Sequence, residues 1–162
     1  MRLLIMRHGE AESAFSLDRS DAERRLTERG HLQARQAGRV LAEAGFAPSQ
    51  LWASPYQRTQ QTAADVIASF PGLQAKTNEA LVPDNRPAGV LDQLAEYNTD
   101  SLMLVSHQPL VSLLVAKLTG QDQYRVPSMA PASMVLLEAE HLLPGCCEIV
   151  WHRHAPDFAA LQ

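Results

Sequence analysis

Arg7, His8 and Gly9 stand together directly after four apolar residues, Leu3, Leu4, Ile5 and Met6. Two later places repeat the pattern of an apolar run ending in chemistry-bearing side chains before a helix-start signal. One is Ser54-Pro55-Tyr56-Gln57-Arg58 and the other is Ser106-His107-Gln108-Pro109. Two guanidiniums and two imidazoles suit phosphate. The planar fork of arginine makes paired, charge-assisted hydrogen bonds to phosphoryl oxygens. A neutral imidazole is a competent nucleophile near pH 7 and can form a covalent phosphoenzyme. The rest of phosphoryl transfer is largely positioning and charge stabilisation, which the arginines and a second histidine can supply. Each residue also has an ordinary alternative, as a solvated turn after a strand or as a hydrogen-bonded structural histidine. Three strand ends of the same kind favour a site.

The elements that must position these groups follow from hydrophobic period and turn chemistry. The run at residues 3–6 suits a strand buried on both faces, and residues 51–54 and 101–106 read the same way. Residues 73–77 carry a weaker strand signal, and residues 133–139 and 147–152 form an antiparallel hairpin around Pro144-Gly145. Thr27 is an N-cap for a helix with Ala37, Val40, Leu41 and Ala44 inward, stopped by Gly45 and Pro48. Ser54 caps a second helix with Pro55 in its first turn and Thr62, Ala63, Val66, Ile67 and Phe70 as its buried stripe. Pro87 opens a third helix (Val90, Leu91, Leu94 and Ala95 inward), and Pro109 a fourth (Leu110, Val111, Leu114, Val115 and Leu118) with Gly120 behind it. The polar residues 10–25 read as a loop or short helical turns. Alternating strands and helices imply one α/β domain over residues 1–162: a layered sheet, largely parallel, with an antiparallel edge hairpin and helices on both faces.

If the three strands are parallel neighbours, their carboxyl ends converge on one surface, where open α/β sheets bind ligands. Arg58, one turn before Thr62 and two before Val66, keeps its stem on the inward stripe while its head reaches that surface. A cluster of two arginines and two histidines without a carboxylate would repel itself, so it calls for an anion. The helix starts at Pro55 and Pro109 add backbone donors, and Gly9 lets the backbone approach a ligand closely.

At this point the chain resembles a known family. "LLIMRHGEA", "LTERGHLQA", "ASPYQRTQQTA" and "LMLVSHQPL" are similar to motifs of the histidine phosphatase (phosphoglycerate-mutase-like) superfamily. The length and the lead-in "DAERRLT" from Asp21 resemble most its small SixA-type phosphohistidine phosphatases. The triplet alone is a weak signal, whereas the ordered set, each member after a strand, is a strong one. The resemblance implies that His8 is the phosphorylated nucleophile and that Arg7 and Arg58 clamp phosphate. His107 would be the second pocket histidine, stabilising the transferring phosphoryl group, with an imidazolium form as one way of doing so. It implies no cofactor.

Larger relatives place a general-acid glutamate in an L-x-E context after the third strand, often beside an inserted helical lid. Here that place reads Leu81-Val82-Pro83, then Asp84, in a short connection. The acid is therefore open among Glu10, Asp21, Glu79 and Asp84, each of which also reads as a solvated carboxylate. Without a lid the pocket should stand open and admit a side chain presented by another protein. A phosphorylated imidazole also needs a placed acid less than an alkoxide does. Phosphohistidine on a protein, as in phosphorelay domains, is thus the expected substrate. A phosphatase or mutase for small phosphate esters, or a non-catalytic phosphate-binding module, is the alternative.

The remaining features narrow the setting. A formal charge of −4 without blocks of like charge gives no encouragement to a nucleic-acid or anionic-membrane partner. No apolar run approaches the ~20 residues of a membrane helix, and the amino terminus lacks a signal-peptide hydrophobic region. The two cysteines, Cys146 and Cys147, are adjacent and cannot staple distant segments, which fits a reducing cytoplasm. His152 and His154 share an i, i+2 spacing that can ligate zinc, but no cysteine or acidic partner stands at diagnostic spacing, so no metal is assigned. His31 and His141 lie in polar surroundings and read as surface residues.

Overall fold

The computed structural model describes residues 1–15 and 19–155. Six strands form one sheet in the order β3-β2-β4-β1-β5-β6. They are β1 (Arg2–Arg7), β2 (Gln50–Ala53), β3 (Ala75–Thr77), β4 (Ser101–Ser106), β5 (Met134–Glu138) and β6 (Glu148–Arg153). The β3-β2-β4-β1 portion is parallel, and β5 and β6 are each antiparallel to their neighbours. The largely parallel sheet with an antiparallel edge hairpin is thus the fold of the chain.

Four helices cover the sheet: α1 (Glu28–Glu43), α2 (Gln57–Ile67), α3 (Ala88–Glu96) and α4 (Leu110–Thr119). On one face Leu4, Met6, Leu51, Ala53, Met103 and Val105 pack against Ala37, Leu41, Ala63 and Val66 of α1 and α2. On the other, Leu3, Ile5, Leu102 and Leu104 pack against Val90, Leu94, Leu110, Leu114 and Leu118 of α3 and α4. Strand alternation explains this division: adjacent residues of β1 and β4 point to opposite faces and both faces are dry. Every residue of β4 is buried, as its position between β2 and β1 requires.

Helix boundaries follow local chemistry with a few departures. Thr27 Oγ1 accepts from Gly30 N, so α1 starts at the expected cap. Ala44 and Ala95 are exposed rather than inward. Ser54 does not cap α2: Tyr56 holds that position with extended backbone, and the helix begins at Gln57, beyond Pro55. Gly120 ends α4 in the left-handed region, at φ 67°. Between β3 and α3 the chain makes only a three-residue 3-10 turn, Glu79–Leu81. A second such turn, Asp21–Glu23, lies in the polar segment before α1.

Candidate active site

β2, β4 and β1 are parallel neighbours, so Ser54, His107 and His8, each one residue past its strand, meet at one end of the sheet. The His8 and His107 rings stand 5.2 Å apart, edge to face. His8 Nδ1 lies 2.7 Å from the carbonyl oxygen of Gly9, which only accepts, so Nδ1 carries the ring proton. Arg58 Nε donates to His8 Nε2 at 3.2 Å, which requires a lone pair there. Both contacts select one tautomer, with Nε2 as the free base. Burial pushes the His8 imidazole down to about 3, against its bond to Gly9, and the charges of Arg58 and Arg7 add to the fall. The ring is neutral at physiological pH.

His107 is more enclosed, with 1% of its surface exposed. Its Nε2 is 2.8 Å from the Ser54 hydroxyl, so Ser54 serves the site rather than the helix. Burial, followed by the Arg58 charge, pushes His107 down to about 2. His107 is therefore neutral in this structure at physiological pH. Tyr56 stacks edge-on against His107 at 5.1 Å and lies 5.1 Å from the Arg58 guanidinium.

The two arginines are held differently. Arg58 is 4% exposed and uses all three nitrogens: Nε on His8, Nη1 on the Asp21 carbonyl at 2.6 Å and Nη2 on Asp21 Oδ2 at 3.1 Å. Arg7 donates Nη1 to the carbonyl of Met129 at 2.9 Å. Its Nε, like His107 Nδ1, is buried with no hydrogen-bond partner among the described residues. The expectation of a cluster without a carboxylate is corrected here, because Asp21 supplies one from the loop. The expectation of an open pocket is modified as well: no helical lid is inserted, yet His8, Arg58 and His107 are nearly enclosed by their own neighbours.

Gly9 has a different reason from the one expected. A Cβ at Gly9 would lie 2.6 Å from Gly30 O, and a Cβ at Gly30 would collide with Glu10 O. The glycines let the turn that bears His8 lie directly on the start of α1. Thr62 ties the same turn to α2, accepting from Gly9 N at 3.1 Å while donating to Arg58 O at 2.7 Å. From the sequence Thr62 reads only as part of a buried stripe; a hydroxyl at that position was the available signal. Ala132 N donates to His8 O from the left-handed region, at φ 60°, which is uncommon for a residue with a Cβ.

Of the four carboxylates left open, Asp21 is the one hydrogen-bonded to a site residue. Glu10 accepts from Thr27 Oγ1 and faces Arg29, whereas Glu79 and Asp84 are exposed. His152 and His154 pack edge to face at 4.3 Å, with His154 Nδ1 2.7 Å from Ser133 Oγ. Among the described residues no group of three or more His, Cys, Asp or Glu is arranged to hold a metal. His31 is not a plain surface residue: it is half-buried, with Nδ1 2.6 Å from Asp65 Oδ2. His141 is exposed. Cys146 is an exposed free thiol, and Cys147 is buried, its thiol pushed up to about 11 by burial and then by Cys146. No helix among the described residues is long and apolar enough to cross a membrane.

Comparison with known proteins places the chain in a family. Residues 3–82 match the histidine phosphatase superfamily, branch 1. The chain is 34% identical to the phosphohistidine phosphatase SixA homolog of Haemophilus influenzae, over 96% of this chain and 97% of the relative. It is 30% identical to phosphohistidine phosphatase SixA of Escherichia coli, over 86% and 88% of the two. The protein belongs to the histidine phosphatase superfamily. Within it, a solved structure of the protein histidine phosphatase SixA complexed with tungstate superposes with a TM-score of 0.83 at 26% identity, covering 97% of this chain and 99% of that one.

Proposed function

We propose that this protein is a SixA-type phosphohistidine phosphatase acting on phosphohistidine carried by a protein, through a covalent intermediate on His8. The observation that carries the reading is a neutral His8 whose bare Nε2 faces Arg58, beside two buried nitrogens with no hydrogen-bond partner among the described residues, the Arg7 Nε donor and His107 Nδ1. An unsatisfied buried donor costs about 1–3 kcal/mol, so the Arg7 Nε argues for an anion that accepts from it. A phosphoryl oxygen at His107 Nδ1 would select the tautomer that carries the proton there, with the Ser54 hydroxyl then donating to Nε2. The relatives named as phosphohistidine phosphatases, matched over nearly the whole chain, support the same chemistry.

In the first step His8 Nε2 attacks phosphorus, the P–N bond to the substrate imidazole breaks, and its electron pair returns to the substrate nitrogen. In the second, water attacks phosphorus, the P–Nε2 bond breaks and orthophosphate leaves. Arg7 and Arg58 balance the charge of the transferring group, and His107 donates to it. No step needs a cofactor. We read residues 1–162 as one such domain, since a single sheet draws strands from Arg2 through Arg153. We assign the protein to the cytoplasm, which its two free thiols support.

The test compares kcat/KM on a phosphohistidine-bearing protein with a panel of sugar phosphates, phosphoglycerate and phosphoserine. Phosphohistidine is expected to lead clearly. A higher value on any phosphate ester would replace this reading with a small-molecule phosphatase.

A further inference from the structure

Arg58, the guanidinium nearest the nucleophile, is already occupied. Asp21 takes its Nη1 through a backbone carbonyl and its Nη2 through Oδ2, while Nε rests on His8. The other carboxylate oxygen, Oδ1, accepts from Arg24 Nη1 at 2.8 Å, and Arg24 Nε donates to Glu12 O. The carboxylate is therefore fixed between two cations. Burial of Asp21 opposes ionisation, but the Arg24 hydrogen bond and the charge and hydrogen bond of Arg58 hold its carboxyl below the usual range. It is an anion at neutral pH.

Its position is unusual in one respect. Arg58 directs Nε at the nucleophilic nitrogen and Nη2 at a carboxylate oxygen, so the fork that would grip a phosphoryl group on His8 is filled by the protein's own anion. The guanidinium is 4% exposed while the Asp21 side chain is 50% exposed.

We propose that Asp21 is an intramolecular stand-in for the phosphoryl group: its carboxylate holds Arg58 in the free protein, and substrate binds by exchanging with it. This rests on the reading of the site as a phosphate site and adds a residue that acts on the reaction through Arg58. Asp21 keeps Arg58 aimed at His8 between turnovers. By re-forming its bond as orthophosphate leaves, it also lowers the site's affinity for that product. Asp21 is thus a positioning residue that sets a balance between binding and release.

The experiment titrates orthophosphate into the wild-type protein, Asp21→Asn and Glu12→Gln by calorimetry, with a thermal melt of each variant to establish folding. Glu12→Gln removes a negative charge from the same loop without touching Arg58, and so measures the general field. Asp21→Asn is expected to bind orthophosphate about tenfold more tightly than wild type, as losing a charge-assisted competitor implies, and Glu12→Gln within about twofold. Asp21→Ser provides the same readout if the amide variant does not fold. A crystal structure with orthophosphate is expected to show the Asp21 carboxylate detached from Arg58. Unchanged or weaker binding by both Asp21 variants overturns the proposal, as does an equal gain in Glu12→Gln or a retained Asp21–Arg58 contact beside bound phosphate. Failure of the wild-type protein to bind orthophosphate at all overturns the phosphate reading itself, and the proposal with it.

Discussion

In the proposed mechanism His8 is a nucleophile prepared by its neighbours rather than by a partner base. Gly9 O accepts the hydrogen bond from Nδ1–H, Arg58 Nε donates to the Nε2 lone pair, and burial keeps the ring neutral. His8→Ala is expected to abolish both turnover and the acid-labile, alkali-stable phosphoenzyme while cooperative unfolding persists. Turnover within tenfold of wild type would refute the covalent mechanism. Arg58 bonds His8 and Asp21, and in the proposed mechanism it also holds the transferring group. Arg58→Ala should lower kcat/KM on the order of 10²–10³, by analogy with loss of a single transition-state donor. Arg58→Lys should recover only part of that, because one ammonium cannot reproduce the planar fork. Full recovery by lysine would show that the fork is dispensable.

The turn bearing His8 is held between two helices. Gly30 brings α1 against Gly9 and Glu10, and Thr62 brings α2 against Gly9 while bonding Arg58 O. Backbone is on both sides of the Gly30 contact, so an added Cβ cannot be accommodated by a side-chain swing. Gly30→Ala is therefore expected to destabilise the fold by about 1–3 kcal/mol, the usual range for overpacking. It should also lower activity in the fraction that remains folded, because the displaced turn carries His8. Denaturant midpoints, with kcat measured well below the melting temperature, check both effects. Wild-type values for both would show that α1 does not set the turn's position. Thr62→Val separates the second support, since it keeps the shape and removes the hydroxyl that joins Gly9 N to Arg58 O.

Over the whole molecule, two neutral buried histidines tie stability to pH. In the unfolded chain each takes up a proton near pH 6.5. In the folded protein His8 does so only at about 3 and His107 at about 2. Below pH 6.5 the unfolded state thus binds more protons than the folded one, and stability falls as pH falls toward 3. Each histidine contributes at most about 1.4 kcal/mol per pH unit across that window. Chemical denaturation between pH 7.5 and 4.5 should show the decline, and His107→Gln should make it shallower. An equal slope in that variant would mean that His107 does not stay neutral. Bound orthophosphate should act in the opposite direction, stabilising the folded protein by mass action.

Much of this protein is legible along the chain. The apolar run before Arg7, the entirely buried β4 and the inward residues of α4 follow from local period, which a strand or helix imposes whatever surrounds it. Arg7, His8, Arg58 and His107 stand out because polar residues at strand ends signal a site wherever the sheet is parallel. The resemblance to a family supplied their expected roles. Other features depend on residues that meet only in space. Asp21 reaches Arg58 across 37 positions and Gly9 N meets Thr62 across 53; neither pair has a periodic signature. Ser54 reads locally as a helix cap, and only the approach of His107 draws its hydroxyl into the site. The protonation of both histidines belongs to the same group, because desolvation sums over every neighbour that excludes water. Local chemistry determined which residues could act; tertiary packing decided their partners and their charge, since both depend on distances that the order of residues does not contain.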